Sequence, residues 1–287
     1  MKIHFFTIVL NGEPFVEHHL KEFAKLTFDW HWHVIEGVAD HQGDTAWGKA
    51  NGGHIPKVYG EDFLSSDGTK EYLNSIVGHQ QVTIYRKSNS FWNHKTEMVN
   101  APIGNIKEPC LLFQVDVDEL WTAEALERTR RMFIDDPARH SAYFYCYYFF
   151  GPRKYVTSED SWGTRGVYWM RCWRFQPGCS WKSHEPVCLV NAAGVDVGRI
   201  HPFPMEETRS NGITFQHFAY STEKDVLFKE HYYGYRNATS KWKALQAKKG
   251  PIQVKRFLPW IDGWDCIVDD WDEAKNGKLL VDLPPID

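Results

Sequence analysis

A chain of 287 residues is long enough for one large domain, or one domain with an appended piece, and for a full apolar core. Lys and Arg number 33 against 37 Asp and Glu, a formal charge of −4, which excludes a broad basic field for nucleic acid. No apolar run approaches the length that spans a bilayer. The stretch from Ile3 to Leu10 is short, contains His4 and leads into Asn11-Gly12-Glu13-Pro14, so it reads as a strand and turn rather than a signal peptide.

Cys110, Cys146, Cys172, Cys179, Cys188 and Cys266 form no C-x-x-C pair, and several stand in apolar, strand-like runs. They read as reduced, buried thiols of a cytoplasmic protein. The 13 Trp, 13 Tyr and 18 Phe are mainly core material, although flat rings also suit the apolar faces of sugars.

In chain order, Lys2 to Leu10 reads as a first buried strand. Val16, Leu20, Phe23 and Leu26 then recur at helical spacing, with Pro14 near the first turn. Trp30 to Ile35 is a second strand ending in Glu36-Gly37. The next thirty or so residues are rich in Gly, Asp and His without a period, as in a functional loop or lid. Asp67-Gly68-Thr69 opens a helix carrying Leu73, Ile76 and Val77, and Val82 to Tyr85 is a third strand ending at Arg86. A helical stretch from Trp92 to Val99 stops before Pro102.

The run Leu111 to Trp121 (LLFQVDVDELW) is the most informative. An apolar strand suited to burial on both faces runs straight into Asp116, Asp118 and Glu119, and Thr122 then opens a helix with Leu126, Met132 and Phe133. Strand residues two apart point the same way, so both aspartates can aim at one object, at the strand end where open α/β sheets collect ligands. Adjacent carboxylates repel unless a cation lies between them, and Mg²⁺ or Mn²⁺ suits one or two carboxylates plus substrate phosphates. In the plainer reading, Glu119 does no more than cap the following helix.

After Pro137, strands are expected at Ala142 to Phe150, Tyr168 to Phe175, Val187 to Val190 and Ile213 to Phe218. Helices follow from near Thr222 to Gly234 and from Thr239 to Lys249, stopped by Gly250-Pro251. The tail from Trp260 to Asp287 has no clear period. Strand alternating with helix from the start implies an α/β fold with a parallel sheet and helices on its faces.

Several stretches together resemble family 2 glycosyltransferases and the bacterial and viral proteins related to them. They are Thr7 to Phe15 (TIVLNGEPF), Val34 to Gly37 (VIEG), Asp67 to Thr69 (DGT), Val115 to Trp121 (VDVDELW), Arg174 to Gly178 (RFQPG) and His184 to Pro186 (HEP). The resemblance covers about residues 1–220. It implies a GT-A fold: a Rossmann-like, mostly parallel central sheet with helices on both faces, a mixed β region and a small helical C-terminal extension. Residues 1–121 would be the nucleotide-sugar half, 122–220 the acceptor-side half and 221–287 the extension.

The resemblance also implies the chemistry: one sugar moves from a nucleoside-diphosphate sugar of UDP or GDP type to a glycan or other hydroxyl acceptor, with inversion, assisted by Mn²⁺ or Mg²⁺. Asp118 would bind the metal, and Asp116 would lie near the ribose or the metal's water shell. Glu36 would contact the base. His217 reads either as a structural strand histidine or as completing the metal site. Arg86 and Lys95 would meet the diphosphate. Glu185 would be the base that takes the acceptor proton, oriented by His184, with Trp181 stacking on the acceptor sugar. Glu159-Asp160 is the other acidic pair available for that role. Asp67 is a weaker donor contact, because its Asp-Gly-Thr stands thirty residues later than the family's acidic motif. The Gln-x-x-Arg-Trp element of processive synthases is absent, which favours addition of a single sugar.

Three other readings compete with this one. A haloacid dehalogenase-type phosphatase also ends a strand in Asp-x-Asp, but would place it on the first strand and carry Thr or Val where this chain has Leu120. A sugar nucleotidyltransferase would place Gly-Thr-Arg after its first strand, whereas Gly163-Thr164-Arg165 lies far downstream. A non-catalytic sugar- or nucleotide-binding protein on the same scaffold is the remaining alternative, since fold does not fix function.

Overall fold

The computed structural model describes residues 1–41, 43–87, 89–157, 169–254, 266–284 and 286. Glu159, Asp160, Gly163 to Arg165, Tyr168, Trp260, Trp264 and Asp265 lie outside these residues.

The N-terminal half runs β1 (Ile3–Val9), α1 (Val16–Phe23), β2 (Trp30–Glu36), α2 (Ala46–Ala50), α3 (Thr69–Ser75), β3 (Val82–Arg86), α4 (Lys95–Asn100) and β4 (Cys110–Gln114). Then come β5 (Glu119–Leu120), α5 (Ala123–Asp135), β6 (Ser141–Tyr143), β7 (Tyr145–Phe149), β8 (Lys154–Thr157), β9 (Met170–Phe175), β10 (Ser180–Ser183), β11 (Cys188–Val190), β12 (Pro202–Phe203), α6 (Met205–Ser210) and β13 (Thr214–His217). The last stretch holds α7 (Glu223–Tyr233), α8 (Ala238–Gln246), β14 (Ile252–Val254), β15 (Cys266–Asp270) and α9 (Glu273–Asn276).

The central sheet has the order β12-β6-β9-β4-β1-β2-β3 among the described residues. β4, β1, β2 and β3 are mutually parallel, and β9 lies antiparallel against β4. The expected α/β class with a mostly parallel core is therefore observed. Side-chain alternation divides the apolar residues between two faces. Phe5, Trp32, Val34, Leu111 and Phe113 pack on one side with Val16 and Phe23 of α1, Leu73 of α3 and Leu126 of α5. Phe6, Ile35 and Leu112 pack on the other with Met98 and Val99 of α4 and Trp181 and Leu189 of the β10–β11 ribbon. All five residues of β4 are buried, which is why its sequence shows an apolar run rather than an alternation. Each large apolar side chain so buried contributes about 1.5–3 kcal/mol.

Two expectations are corrected here. The run from Ala142 to Phe150 is two strands, not one. β6 joins the central sheet and β7 joins a second sheet, β14-β15-β8-β7-β13-β5, with the chain crossing between them at fully buried Phe144. The segment after residue 220 is also not purely helical. β15 pairs antiparallel with β8 and β14 with β15, so it supplies strands to the second sheet, and Tyr235, Trp242 and Val268 enter the main core. Strands of three and five residues are too short to show a period in sequence.

The aperiodic region after β2 is tied to α7. Tyr232 Oη donates to Ala39 O at 3.0 Å, His54 N donates to His231 O at 2.8 Å, and Trp47 of α2 stacks on Tyr233 with ring centroids 4.9 Å apart. α7 begins with a capping box, Thr222 Oγ1 accepting from Asp225 N, and ends at Gly234 with φ 72°, where a side chain would also strike Asn51 O.

The start of the parallel sheet carries a cluster of three imidazoles, of which His4 and His33 stack. Register puts His4 beside His31 and one step from His33; His4 Nδ1 and His33 Nε2 are 2.9 Å apart, and His33 Nδ1 meets Tyr85 Oη at 3.1 Å. Burial, then the neighbouring imidazoles and Lys2, push His33 down to about 2, and burial with Lys2 and His31 pushes His4 to about 3. Such groups stay neutral when folded but take protons once unfolded, so stability is full above pH 6.5 and falls as pH drops below it. For His33 the loss at pH 5 is about 2 kcal/mol. Denaturant midpoints should accordingly fall between pH 7 and pH 5, and His4→Leu/His33→Leu, which removes both partners of their bond, should flatten that acid limb. An unchanged slope in the double variant would mean that this cluster does not set it.

Candidate functional site

The Asp-x-Asp stretch lies just beyond the carboxyl end of β4, which stops at Gln114, so the two aspartates sit in a turn and not on the strand itself. Val117 is the anchor between them. Its carbonyl accepts from His19 Nε2 at 2.9 Å, and its side chain fills the space that a Cβ on Gly12 would take, 2.6 Å from Val117 Cγ2. Burial pushes His19 down to about 4, consistent with a neutral ring donating that bond. Gly12, in the loop after β1, is thus required by close approach.

Beneath the turn, Glu119 is fully buried and forms a forked ion pair with Arg171 of β9, with Nε at 2.9 and 2.8 Å and Nη2 at 2.6 Å. Arg171 Nη2 also reaches Asp116 Oδ2 at 3.4 Å, while Gln114 Nε2 donates to Asp116 Oδ1 at 2.9 Å. Burial acts against the charge of Arg171, but Glu119 and Asp116 hold it firmly protonated. Glu119 therefore does not cap the next helix. Thr122 does, its Oγ1 accepting from Ala125 N at 3.2 Å.

The short β5 pairs antiparallel with β13 and places His217 opposite Glu119; Phe218 N donates to Asp118 O at 2.8 Å. That register brings His217 Nε2 to 3.5 Å from Asp118 Oδ1 and Nδ1 to 3.5 Å from Glu119 Oε1. Lys229 of α7 stands 3.7 Å from Asp118 Oδ2, and its Nζ donates to Ala219 O. Burial alone would push the Asp118 carboxyl up, but His217 and then Lys229 hold it well below the usual carboxylate range. The three carboxylates of the turn thus face two permanent cations, Arg171 and Lys229.

His184 is buried, and it is coupled to Asp116, whose carboxyl it helps to hold down. Glu185, its neighbour, is half-exposed with Oε2 3.7 Å from Lys95 Nζ. Lys95 donates to Tyr233 Oη at 2.7 Å, and its charge is sustained against burial by Tyr233 and Glu185. Glu185 and Asp118 both act electrostatically on buried Tyr148. Burial raises Tyr148 far above its ordinary pKa, and Asp118 and Glu185 both raise it further; Glu185 also raises Tyr220, Tyr233 and Tyr235. Tyr148 and Trp169 pack edge-on to the His217 ring at 4.7 and 4.9 Å. The phenols therefore remain protonated.

Of the sequence-predicted residues, the structure brings His217 beside Asp118, His184 near Asp116 and Lys95 beside Glu185. Glu36 and Arg86 form a separate unit. Glu36 is fully buried, with Oε2 2.7 Å from two nitrogens of Arg86 and Oε1 accepting from Ser65 N at 3.2 Å, so the pair's charges are spent on each other. Asp67 begins α3: its Oδ1 accepts from Thr69 Oγ1 at 2.7 Å and its Oδ2 from Lys224 Nζ at 2.6 Å. Trp181 is a correction. It is buried in the core against Phe6 and Trp173, with its backbone held by Asn100, and no ring face is left for a sugar. In β10 it is the inward residue between exposed Ser180 and Lys182.

Sequence reading missed Arg171, Lys229 and the tyrosines. Arg171 had a usable signal, a charge inside the otherwise apolar strand Met170–Phe175 that demands a buried counter-ion. Lys229 and the tyrosines had none, since α7 comes a hundred residues after Asp118 and aromatic residues occur throughout the chain.

No protein-family model matches the sequence, and no curated protein matches it. Solved structures similar in shape include the S. aureus protein TarS, residues 1–349, at 14% identity over 61% of this chain and 47% of that one, with a TM-score of 0.40. The mannosyltransferase PcManGT from Pyrobaculum calidifontis, in complex with GDP-Man and Mn²⁺, is similar at 11% identity over 87% of this chain and 65% of that one, TM-score 0.43. This chain spans less than half the length of TarS 1–349. Parallel β3-β2-β1-β4 continued by antiparallel β9, with Asp-x-Asp at the end of β4, is a GT-A-like layout. Among the described residues no helix is long and apolar enough to cross a membrane.

The buried ion pair can be tested by calorimetry. Arg171→Met leaves Glu119 charged and uncompensated and should cost about 3–5 kcal/mol of stability. Arg171→Met/Glu119→Leu should recover most of it. If the double variant is no more stable than the single, the charge pairing is not what supports the turn.

Proposed function

We propose that this chain is a nucleotide-sugar-dependent glycosyltransferase that moves one sugar from a nucleoside-diphosphate sugar, of UDP or GDP type, to a hydroxyl acceptor. The observation that carries the reading is the Asp-x-Asp turn at the carboxyl end of β4, with His217 set beside Asp118 by the β5–β13 register.

Among the described residues no three His, Cys, Asp or Glu side chains converge as a complete metal cage. The donor set nevertheless suits a hard divalent ion that keeps most of its waters: one carboxylate with a surplus of negative charge around it, and one imidazole. Mn²⁺ or Mg²⁺ held by Asp118 with His217 would neutralise the diphosphate as it leaves. Asp116, braced by Arg171 and Gln114, is positioned for the donor's ribose or for water around the ion.

The rest of the chemistry is assigned to the chain's own groups. Glu185 takes the proton from the acceptor hydroxyl, whose oxygen bonds to the anomeric carbon. The bond from that carbon to the diphosphate oxygen breaks, and its electron pair stays on the diphosphate. Attack opposite the leaving group inverts the anomeric centre, as the family resemblance implies. Lys95 holds Glu185, and Tyr233 accepts a hydrogen bond from Lys95.

Two measurements test this. UDP-, GDP-, CMP- and dTDP-sugars with and without Mn²⁺ should include at least one pair that raises the melting temperature, because a ligand bound only by the folded state stabilises it. Asp118→Ala should abolish the Mn²⁺-dependent part of that rise. Glu185→Gln should keep the rise while transfer falls about 10²–10⁴-fold. The donor assignment fails if no nucleotide shifts the wild type, and the assignment of Glu185 fails if its Gln variant transfers normally.

A further inference from the structure

Glu185 also borders an open cleft of about 620 Å³ whose other walls include Trp47, His94, Thr96, Lys182 and Ser183. Neither Asp118 nor His217 lines this cleft. Trp47 is the one large aromatic surface in it. One face of its ring is covered by Tyr233, stacked at 4.9 Å and within 6° of parallel, and Tyr233 in turn is hydrogen-bonded to Lys95, the partner of Glu185. The ring is held rigidly, because α2 sits on α7 at glycines. A Cβ on Gly53 would lie 2.3 Å from Tyr232 O, and one on Gly48 would lie 3.3 Å from the same atom. Around the ring the groups are polar. Thr96 and Ser183 bring hydroxyls and Lys182 an ammonium. His94 spends Nδ1 accepting from Glu97 N at 2.9 Å, which leaves Nε2 to donate. One fixed aromatic plane inside a ring of hydrogen-bonding groups fits a pyranose, which has an apolar C–H face and a rim of hydroxyls. A peptide or lipid would need deeper apolar pockets.

Resting on the glycosyltransferase reading, we infer that this cleft is the acceptor subsite. Trp47 is the platform for an acceptor pyranose, which presents a hydroxyl to Glu185. The sugar-stacking role thus belongs to the tryptophan of α2 and not to buried Trp181.

Saturation-transfer NMR on the full chain tests the inference without donor, with methyl β-D-glucopyranoside, methyl β-D-galactopyranoside and methyl α-D-mannopyranoside as probes. At least one should take up saturation, strongest at its ring C–H protons. Trp47→Ala should weaken its binding about tenfold or more. Trp47→Leu, which keeps apolar bulk against Tyr233, should do the same, and Trp47→Phe should bind within a few fold of wild type. The inference is overturned if no glycoside takes saturation from the wild type, or if Trp47→Leu binds as well as wild type. Glycosides that bind through Trp47 in a protein no nucleotide stabilises would uphold the subsite and remove only the donor assignment. A nucleotide shift without glycoside binding would do the reverse.

Discussion

Three carboxylates within four residues, at the end of a strand with no exposed residue, repel one another and resist burial. The arrangement holds because Arg171 reaches up from β9 to grip Glu119 with a fork whose Nη2 also reaches Asp116. A buried pair of this kind adds little net stability, since desolvation offsets much of the attraction. Its effect is geometric. With Glu119 locked, β5 has a fixed register on β13, and that register sets His217 beside Asp118. Antiparallel β9 next to β4 is thus a requirement of the site as well as a continuation of the sheet.

Legibility in the sequence followed burial. β1, β2 and β4 carry long apolar stretches because both their faces are covered, and their boundaries fall within a residue or two of where hydrophobic pattern places them. Thr122, Thr222 and Gly234 announced helix ends through local chemistry that needs no partner from elsewhere. The Asp-x-Asp turn was legible for the same reason, as three charges after an apolar strand conflict with their surroundings. His217 was visible only as a polar residue in a strand, and it took the β5–β13 pairing to relate it to Asp118.

Misreadings arose where one residue pattern serves two settings. Ala142 to Phe150 is a single unbroken apolar run, yet the chain changes sheet at Phe144, whose amide leaves the ladder to donate to Trp169 O at 2.9 Å. Trp181 beside a His-Glu pair looks like a sugar platform, but β10 alternates, and the inward position belongs to the tryptophan. Glu36 stands at the strand end where a ligand contact is expected, and Arg86, its direct register partner on β3, neutralises it there. In each case the deciding fact is a partner distant in sequence.

α7 shows why the segment after residue 220 belongs with the site. Along its length Lys224 holds Asp67, Lys229 faces Asp118, Tyr232 hydrogen-bonds Ala39, and Tyr233 joins Lys95 to Trp47. The start of α3, the Asp-x-Asp turn, the region after β2 and the Glu185 cleft all touch this one helix. It has no single apolar stripe, because residues on several of its faces are taken up by contacts with the N-terminal half. A displacement of α7 by even an ångström would therefore act at both ends of the site together. It would take Lys229 from Asp118 and shift Tyr233 beneath Lys95, so the electrostatics of the aspartate turn and the placing of Glu185 depend on the same packing.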